Sequence, residues 1–93
     1  MYSIEFSNRY KKSYKLAVKR GLDVSLLNKV IKTLAEGKKL DAKYQDHGLK
    51  GNLYGFRECH IQPDWLLIYG KNEDTLILTA VRTGTHSDLF NNF

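Results

Sequence analysis

The apolar residues of this chain follow two different periods, and the change between them limits the possible folds more than any other feature. Across residues 8–36 they recur every three to four positions, which is the spacing of helices with one buried side. Across residues 54–83 they alternate or run together, as in strands buried on one or both faces. This order predicts an α+β fold in which an N-terminal strand and a helical hairpin pack on a twisted antiparallel sheet.

The first residues predict a short strand and then a helix. Residues 2–6 alternate apolar and polar side chains, which is typical of a strand with one buried face. Ser7 or Asn8 can cap a helix that continues to Arg20. Gly21 then supplies the left-handed conformation that commonly ends a helix.

A second helix is expected between Asp23, which can cap it, and a point near Gly37. The link between the two helices is short, so they should form a helical hairpin. The predicted buried stripes are Tyr10, Tyr14, Ala17 and Val18 in the first helix and Leu27, Val30, Ile31 and Leu34 in the second.

The next part of the chain predicts a polar loop and a run of antiparallel strands. Residues 38–53 have no apolar period and contain Gly48 and Gly51, so we expect a loop that includes Asp46 and His47. The expected strands span residues 54–61, 65–69 and 75–83, with a turn at 62–64 and a hairpin connection at 70–74.

The last predicted strand carries an apolar stripe that ends in a cation. The residues expected to share this face are Leu76, Leu78, Ala80 and Arg82. A guanidinium at that position is hard to explain by packing, although Arg82 could simply pair with Glu58 across the sheet. Beyond the strand, Thr85 and Asp88 have the spacing of a capping box for one short helical turn, with His86 among its first residues.

Length and composition narrow the class of protein. With 93 residues the chain supports one domain, expected to span residues 1–93. Its 15 Lys and Arg against 10 Asp and Glu give a formal net charge of +5, which favours polyanionic partners or acidic proteins. The single cysteine, Cys59, excludes an internal disulfide, and neither a signal sequence nor a membrane-spanning run is recognised. We therefore expect a soluble cytoplasmic protein with no membrane partner.

The chain has three histidines, and each lies within two residues of a carboxylate. Imidazole changes its charge near neutral pH, whereas guanidinium does not. Cleavage of RNA without a metal needs a base for the 2′-hydroxyl, cations beside the phosphorane and an acid for the leaving 5′-oxygen. The possible bases or electrostatic partners are Asp64, His47 and His60; Arg82 is a phosphate donor, His86 a possible acid, and Trp65, Tyr54 and Phe90 could stack on bases.

These residues also have structural explanations. Asp64 follows Pro63 and has a residue type common in turns. Trp65 begins an apolar strand, where a tryptophan is more often part of the core than a stacking platform. Cys59 is opposite in phase to His60 and is expected to be a small buried apolar residue. The hypothesis of a ribonuclease centre depends on the strand ends bringing the polar groups together.

Five blocks of sequence resemble the YafQ branch of the RelE/ParE toxin superfamily. They are residues 44–47 (YQDH), 49–51 (LKG), 55–60 (GFRECH), 63–69 (PDWLLIY) and 82–90 (RTGTHSDLF). The similarity runs from the first strand to the carboxyl end and is strongest in the last two blocks.

The resemblance implies a ribosome-dependent endoribonuclease that cuts mRNA in the ribosomal A site and is neutralised by a cognate antitoxin. It also implies a fold like that of microbial ribonucleases, and we expect no cofactor and no metal. The catalytic positions implied are His47, His60, Asp64, Arg82 and His86, with His86 as general acid and Arg82 at the phosphate. Trp65, Phe90 and Lys50 are expected to bind the substrate.

Two other functions remain open from the sequence. The same superfamily contains gyrase-poisoning toxins of the ParE type, which would need no nuclease centre; the His, Asp and Arg set argues against that reading. The second alternative is a non-catalytic RNA-binding module that uses Trp65 and the basic surface.

Overall fold

A computed structural model describes residues 1–90, so the last three residues of the expected domain lie outside the described residues. These residues form a five-stranded sheet and three helices, and the predicted α+β class is confirmed. The elements are β1 (Ser3–Phe6), α1 (Asn8–Lys19), α2 (Val24–Ala35), β2 (His47–Gly48), β3 (Arg57–Gln62), β4 (Trp65–Asn72), β5 (Ile77–Gly84) and α3 (His86–Phe90). Single 3₁₀ turns occur at Ala42–Tyr44 and Gly51–Leu53.

The strand order across the sheet is β1-β5-β4-β3-β2. Neighbouring strands from β2 to β5 are antiparallel, as predicted, whereas β1 lies parallel to β5. The parallel pair joins the first strand of the chain to the last, since Ser3 is opposite Ile77. The long connection that a parallel pair requires runs from β1 through the helical hairpin and strands β2, β3 and β4 to β5.

The helix ends follow from their capping residues, as predicted. The side chain of Ser7 accepts a hydrogen bond from the backbone N–H of Tyr10, and that of Asp23 accepts one from Ser25. Gly21 and Gly37 follow the two helices with φ of 78° and 77°, a conformation that costs other residues more. The predicted stripe of α2 is buried throughout. In α1 the prediction was wrong for Val18, which is 53% exposed.

Strand β1 forms as predicted, but the face that was expected to be buried is exposed. All four of its residues are exposed, including Ile4 at 39% and Phe6 at 45%. The physical reason is its position at the sheet edge, where β5 is its one neighbouring strand. The ring of Phe6 packs on one side against Tyr10, with a centroid distance of 5.3 Å.

Apolar side chains are buried on both faces of the sheet. On one face the helices cover the main core, which includes Leu27, Leu34, Leu67, Tyr69 and Leu78. On the other face a smaller core contains Leu66, Ile68 and Leu89, the last of these from α3. Strand β4 contributes to both cores, and this explains its continuous apolar sequence.

The loop predicted for residues 38–53 is more ordered than expected. Within it, β2 pairs with β3 so that His47 lies opposite Glu58. The carboxylate of Asp46 accepts hydrogen bonds from Arg57 Nε at 3.2 Å and from the Tyr69 hydroxyl at 2.7 Å. These long-range bonds fix the backbone next to His47, an effect that sequence periodicity does not reveal.

The start of β3 and the β4–β5 hairpin differ from the predicted bounds. Strand β3 begins at Arg57 rather than at residue 54, because Gly55 has φ of 95° and Tyr54 is exposed. Strand β4 extends to Asn72, and Leu76 lies in the turn with φ of 55°.

A β-bulge in β5 overturns the predicted face of Arg82. Ala80 is opposite Tyr69, but Arg82 is opposite Ile68, so Val81 is an extra residue in the strand. A bulge shifts the alternation of side chains by one position. Arg82 therefore lies on the face away from the main core, whereas Leu78 and Ala80 face the helices.

Within residues 1–90, no helix combines the length and apolar character needed to cross a bilayer.

Candidate active site

Buried Glu58 lies at the centre of a polar cluster on the face of the sheet away from α1 and α2. Its side chain is 4% exposed, and Oε1 is 3.6 Å from His47 Nε2 and 3.9 Å from His60 Nε2. Its second oxygen, Oε2, is buried without a hydrogen-bond partner in the described part of the chain. An ionised carboxylate in such a place is costly unless cations or a ligand compensate it. The two imidazoles beside it become positively charged when they are protonated, so they are groups that can compensate a carboxylate.

The backbone orients both imidazoles through their Nδ1 atoms. His47 Nδ1 is 2.7 Å from the carbonyl oxygen of Gln45, and His60 Nδ1 is 3.3 Å from that of Pro63. Both Nε2 atoms are thereby directed to the same Glu58 oxygen. A contact of this kind fixes which nitrogen carries the proton in the neutral ring.

His86 joins the cluster from α3. Its ring centroid is 5.8 Å from that of His60 in an edge-to-face arrangement, and 6.0 Å from the ring of Phe90. Asp64, in the turn between β3 and β4, has Oδ1 3.3 Å from His86 Nδ1 and accepts the His86 backbone N–H at 3.2 Å. The structure thus brings together His47, His60, Asp64, His86 and Phe90 of the residues proposed from sequence.

A capping box holds α3 in place, as predicted. Asp88 Oδ2 accepts the backbone N–H of Thr85 at 3.0 Å, and Thr85 Oγ1 accepts that of Asp88 at 3.1 Å. Arg20 Nη1 donates to the same Asp88 carboxylate at 2.7 Å. The Arg20 guanidinium and the Thr85 amide lower the pKa of Asp88 to about 2. The ion pair with Arg20 therefore holds α3, the helix that carries His86, against the end of α1.

Arg82 lies on the same face of the sheet as the cluster, but on β5, whose edge contacts α1. Glu58 and Arg82 both flank Ile68, one from β3 and one from β5. Two strand spacings separate their backbones, a distance of about 10 Å. At this distance the guanidinium, on its long side chain, can reach a phosphate that is bound at the cluster.

The structure does not support Trp65 as a stacking platform. The indole is 3% exposed and belongs to the main core, and its Nε1 donates to Thr83 Oγ1 at 2.9 Å. A buried ring offers no face to a base, so we assign Trp65 a structural position. Cys59 is fully buried as predicted, and burial raises the pKa of its thiol to about 12.

Lys50 and Phe90, both expected to bind substrate, line one shallow cavity. Its volume is about 390 Å³, and its other lining residues are Leu49, Asn52 and Leu53. Because the Phe90 ring also contacts His86, this cavity adjoins the cluster. Tyr54, the other aromatic residue considered for stacking, is 83% exposed and stands outside β3.

Three residues of the cluster form a possible metal-binding set. Potential ligand atoms of Glu58, His60 and His86 lie within 4.8 Å of one another. Two imidazoles and one carboxylate suit zinc or copper.

Glu58 was not among the residues proposed from sequence. The alternation along β3 that put His60 on one face put Glu58 on the same face, so that pattern contained the signal. The pattern did not show that Glu58 is buried. The pairing of β2 with β3 encloses the carboxylate, and no local pattern predicts that pairing.

Comparison with known proteins places this geometry in a family. Residues 2–91 match the family model described as the bacterial toxin YafQ of type II toxin–antitoxin systems. The mRNA interferase toxin YafQ of Escherichia coli K12 is 46% identical over 88 residues, which cover 94% of each chain.

Solved structures agree with this match. A metal-bound toxin from Helicobacter pylori has a TM-score of 0.91 at 48% identity, covering 97% of this chain and 100% of that chain. The E. coli DinJ–YafQ complex has a TM-score of 0.89 at 38% identity, covering 97% of this chain and 99% of that chain. The chain belongs to the YafQ family of bacterial toxins of type II toxin–antitoxin systems.

Proposed function

We propose that this chain is an mRNA interferase, an endoribonuclease that cuts translated mRNA. The observation that carries the proposal is the pair of imidazoles His60 and His86, whose ring centroids are 5.8 Å apart on an open face of the sheet. Two imidazoles this close to each other can both reach oxygen atoms of one phosphodiester. Relatives named mRNA interferase toxin support the same conclusion.

The reaction needs one proton removed and one supplied. A base takes the proton of the 2′-hydroxyl, the 2′-oxygen attacks phosphorus, and the bond to the 5′-oxygen breaks, leaving a 2′,3′-cyclic phosphate. His86 acts as the acid that protonates the leaving 5′-oxygen, and Asp64 orients its ring. His60, paired with Glu58, is placed to take the 2′-hydroxyl proton, with His47 on the other side of the carboxylate.

Three further groups bind substrate in this proposal. Arg82 approaches the phosphate from the α1 side and stabilises the charge that develops in the phosphorane. Lys50 and Phe90 bind the neighbouring nucleotide, with the lysine at a phosphate and the ring against a base.

Cleavage takes place on the ribosome in the cytoplasm, and a cognate antitoxin blocks it. The net charge of +5 favours association with ribosomal RNA. The antitoxin is proposed from the related complex, in which E. coli YafQ is bound to DinJ.

Cleavage itself needs no metal, because acid, base and cation are all supplied by side chains. An ion held by Glu58, His60 and His86 would occupy the groups that transfer protons, so it should inhibit. A chelator selective for transition metals, which leaves the Mg²⁺ of ribosomes in place, should therefore keep or raise the activity. Loss of cleavage on chelation, with recovery on added zinc, would contradict metal independence.

The central experiment is induction of the chain with and without its neighbouring open reading frame, followed by mapping of transcript ends. We expect cuts in translated messages that the neighbouring gene suppresses, and growth arrest that His86→Ala relieves. The matched control is Glu73→Ala, in the exposed turn at the opposite end of the sheet, which should keep full activity.

The same experiment separates the other functions. DNA breaks with intact messages would favour a gyrase poison. Ribosome binding without any new transcript end would favour a non-catalytic RNA-binding module. Wild-type cleavage by His86→Ala would remove this residue from the mechanism.

A further inference from the structure

An open groove lies between α1 and the end of β5, beside the proposed active site. Its volume is about 450 Å³, and we call it the α1 groove. Its lining residues are Arg9, Lys12, Ser13, Leu16, Arg82, Thr83 and Asp88.

One wall of the groove is a single face of α1. Arg9 precedes Lys12 and Ser13 by three and four residues, and Leu16 follows them by four and three, so these side chains lie on one side of the helix. The hydroxyl of Ser13 accepts the backbone N–H of Thr83 at 3.4 Å, which holds this face of α1 against the edge of β5.

The charge of the groove favours an anion. Three cations line it, Arg9 and Lys12 from α1 and Arg82 from β5. Among the described residues, the one lining carboxylate is that of Asp88, which is bound by Arg20 at 2.7 Å and accepts the amide of Thr85, so its charge is compensated locally. Clustered cations in a concave surface attract phosphate groups more strongly than isolated surface lysines do.

The α1 groove leads towards the catalytic cluster. A second cavity, also of about 450 Å³, shares Ser13, Leu16, Thr83 and Asp88 with it. The wall of this second cavity includes Asp64, whose carboxylate contacts His86. The two cavities therefore form one path from the cations of α1 to the proposed general acid.

We propose that the α1 groove binds the sugar–phosphate backbone of a single RNA strand next to the active site. The proposal rests on the ribonuclease function given above and assigns a binding role to Arg9 and Lys12, which no part of that mechanism uses. Their helix face, from residue 9 to residue 16, is about 10 Å long, which suits two or three nucleotides. Arg9 and Lys12 each bind one phosphate, and the strand continues from them to the scissile phosphate at Arg82.

The first test measures the salt dependence of RNA binding. A fluorescent RNA oligonucleotide is titrated with the His86→Ala protein, in which cleavage is removed, and with the same protein carrying Arg9→Gln and Lys12→Gln. Losing two phosphate contacts should lower the slope of log affinity against log salt by about 1.4. Extrapolated from 1 M salt, this amounts to an affinity about 25-fold weaker at 0.1 M.

A matched pair of substitutions controls for net charge. Lys29→Gln with Lys32→Gln removes the same two charges from the exposed side of α2, outside the groove. This pair should leave the slope unchanged. An equal loss in both pairs, or no loss for the groove pair, would overturn the proposal.

A second arm identifies the source of the strand. If the groove binds mRNA, the Arg9 and Lys12 variant should bind empty ribosomes normally and lose affinity only for ribosomes carrying a message. If it binds ribosomal RNA, affinity for empty ribosomes should fall as well. Either loss supports a phosphate-binding groove, and unchanged affinity for both forms refutes it.

The two proposals can fail separately. Wild-type protein that cleaves messages while the groove pair keeps the normal salt slope would refute the groove and leave the ribonuclease function standing. Protein that binds RNA through the groove but yields no cleaved transcript would refute the ribonuclease function and leave the groove standing.

Discussion

Asp88 holds α3 in place, and the structure allows the loss of stability on its removal to be predicted in size. Replacing Asp88 with alanine removes the acceptor for the Thr85 amide at 3.0 Å and for Arg20 at 2.7 Å. Loss of a capping acceptor costs about 1 kcal/mol in the free energy of unfolding, and an exposed ion pair adds little to that. For a domain of this size the melting temperature should fall by about 4–8 °C at pH 7.

Acid should reduce this difference between Asp88→Ala and the wild type. The folded-state pKa of Asp88 is lowered from 3.8 to about 2, so its stabilising effect is present above pH 4 and is lost as the pH falls towards 2. The wild type alone has this carboxylate to protonate. The two proteins should therefore approach the same stability near pH 2.

Thermal melts of both proteins from pH 7 to pH 2.5 test this reasoning. Asp88→Asn should be intermediate, because its amide oxygen still accepts the Thr85 N–H while the charge is gone. Glu36→Ala, which breaks the exposed pair with Lys38 at 3.6 Å, is the control and should change stability by less than about 0.5 kcal/mol. Equal melting temperatures at pH 7, or a difference as large at pH 2.5 as at pH 7, would refute the reasoning.

Three further outcomes follow from buried groups. Glu58→Gln should lower single-turnover cleavage at least about 10-fold without lowering the melting temperature, because it keeps the shape of the side chain but removes the carboxylate beside His47 and His60; full activity would exclude Glu58 from the mechanism. Iodoacetamide at pH 8 should leave Cys59 unmodified in the native protein and modify it after denaturation, since burial raises the pKa of its thiol to about 12; mass spectrometry shows the adduct. Trp65→Phe should cost about 1–2 kcal/mol of stability through loss of the bond to Thr83 while RNA affinity is kept, and the reverse pattern would restore Trp65 as a binding residue.

Sequence patterns predicted the helical part of the fold well because its determinants are local. Ser7, Gly21, Asp23 and Gly37 act within one helical turn, and each has the predicted capping or terminating conformation. The exposed position of β1 was not predictable in this way. An alternating pattern shows that a strand has an apolar face, but only the strand order shows what lies against it.

The residues of the candidate site were proposed from sequence by their types, but the sequence did not predict their arrangement. His60 and His86 meet because a turn and a capped helix bring two strand ends together, an arrangement on which the ribonuclease hypothesis depended. Arg82 faces away from the main core because of a one-residue bulge, which alternation cannot reveal. The burial of Glu58 depends on β2, a two-residue strand inside what the sequence indicated as a loop.

The parallel pairing of β1 with β5 affects when this protein can become active. Strand β1 cannot pair with β5 until the ribosome has synthesised more than 70 further residues, since Ser3 pairs with Ile77. A nascent chain that stops short of β5 also lacks α3, and so has neither a closed sheet nor the proposed acid. If the protein cuts messages during translation, it also cuts its own message. The truncated chains made from that cut message are inactive, so the protein limits its own production.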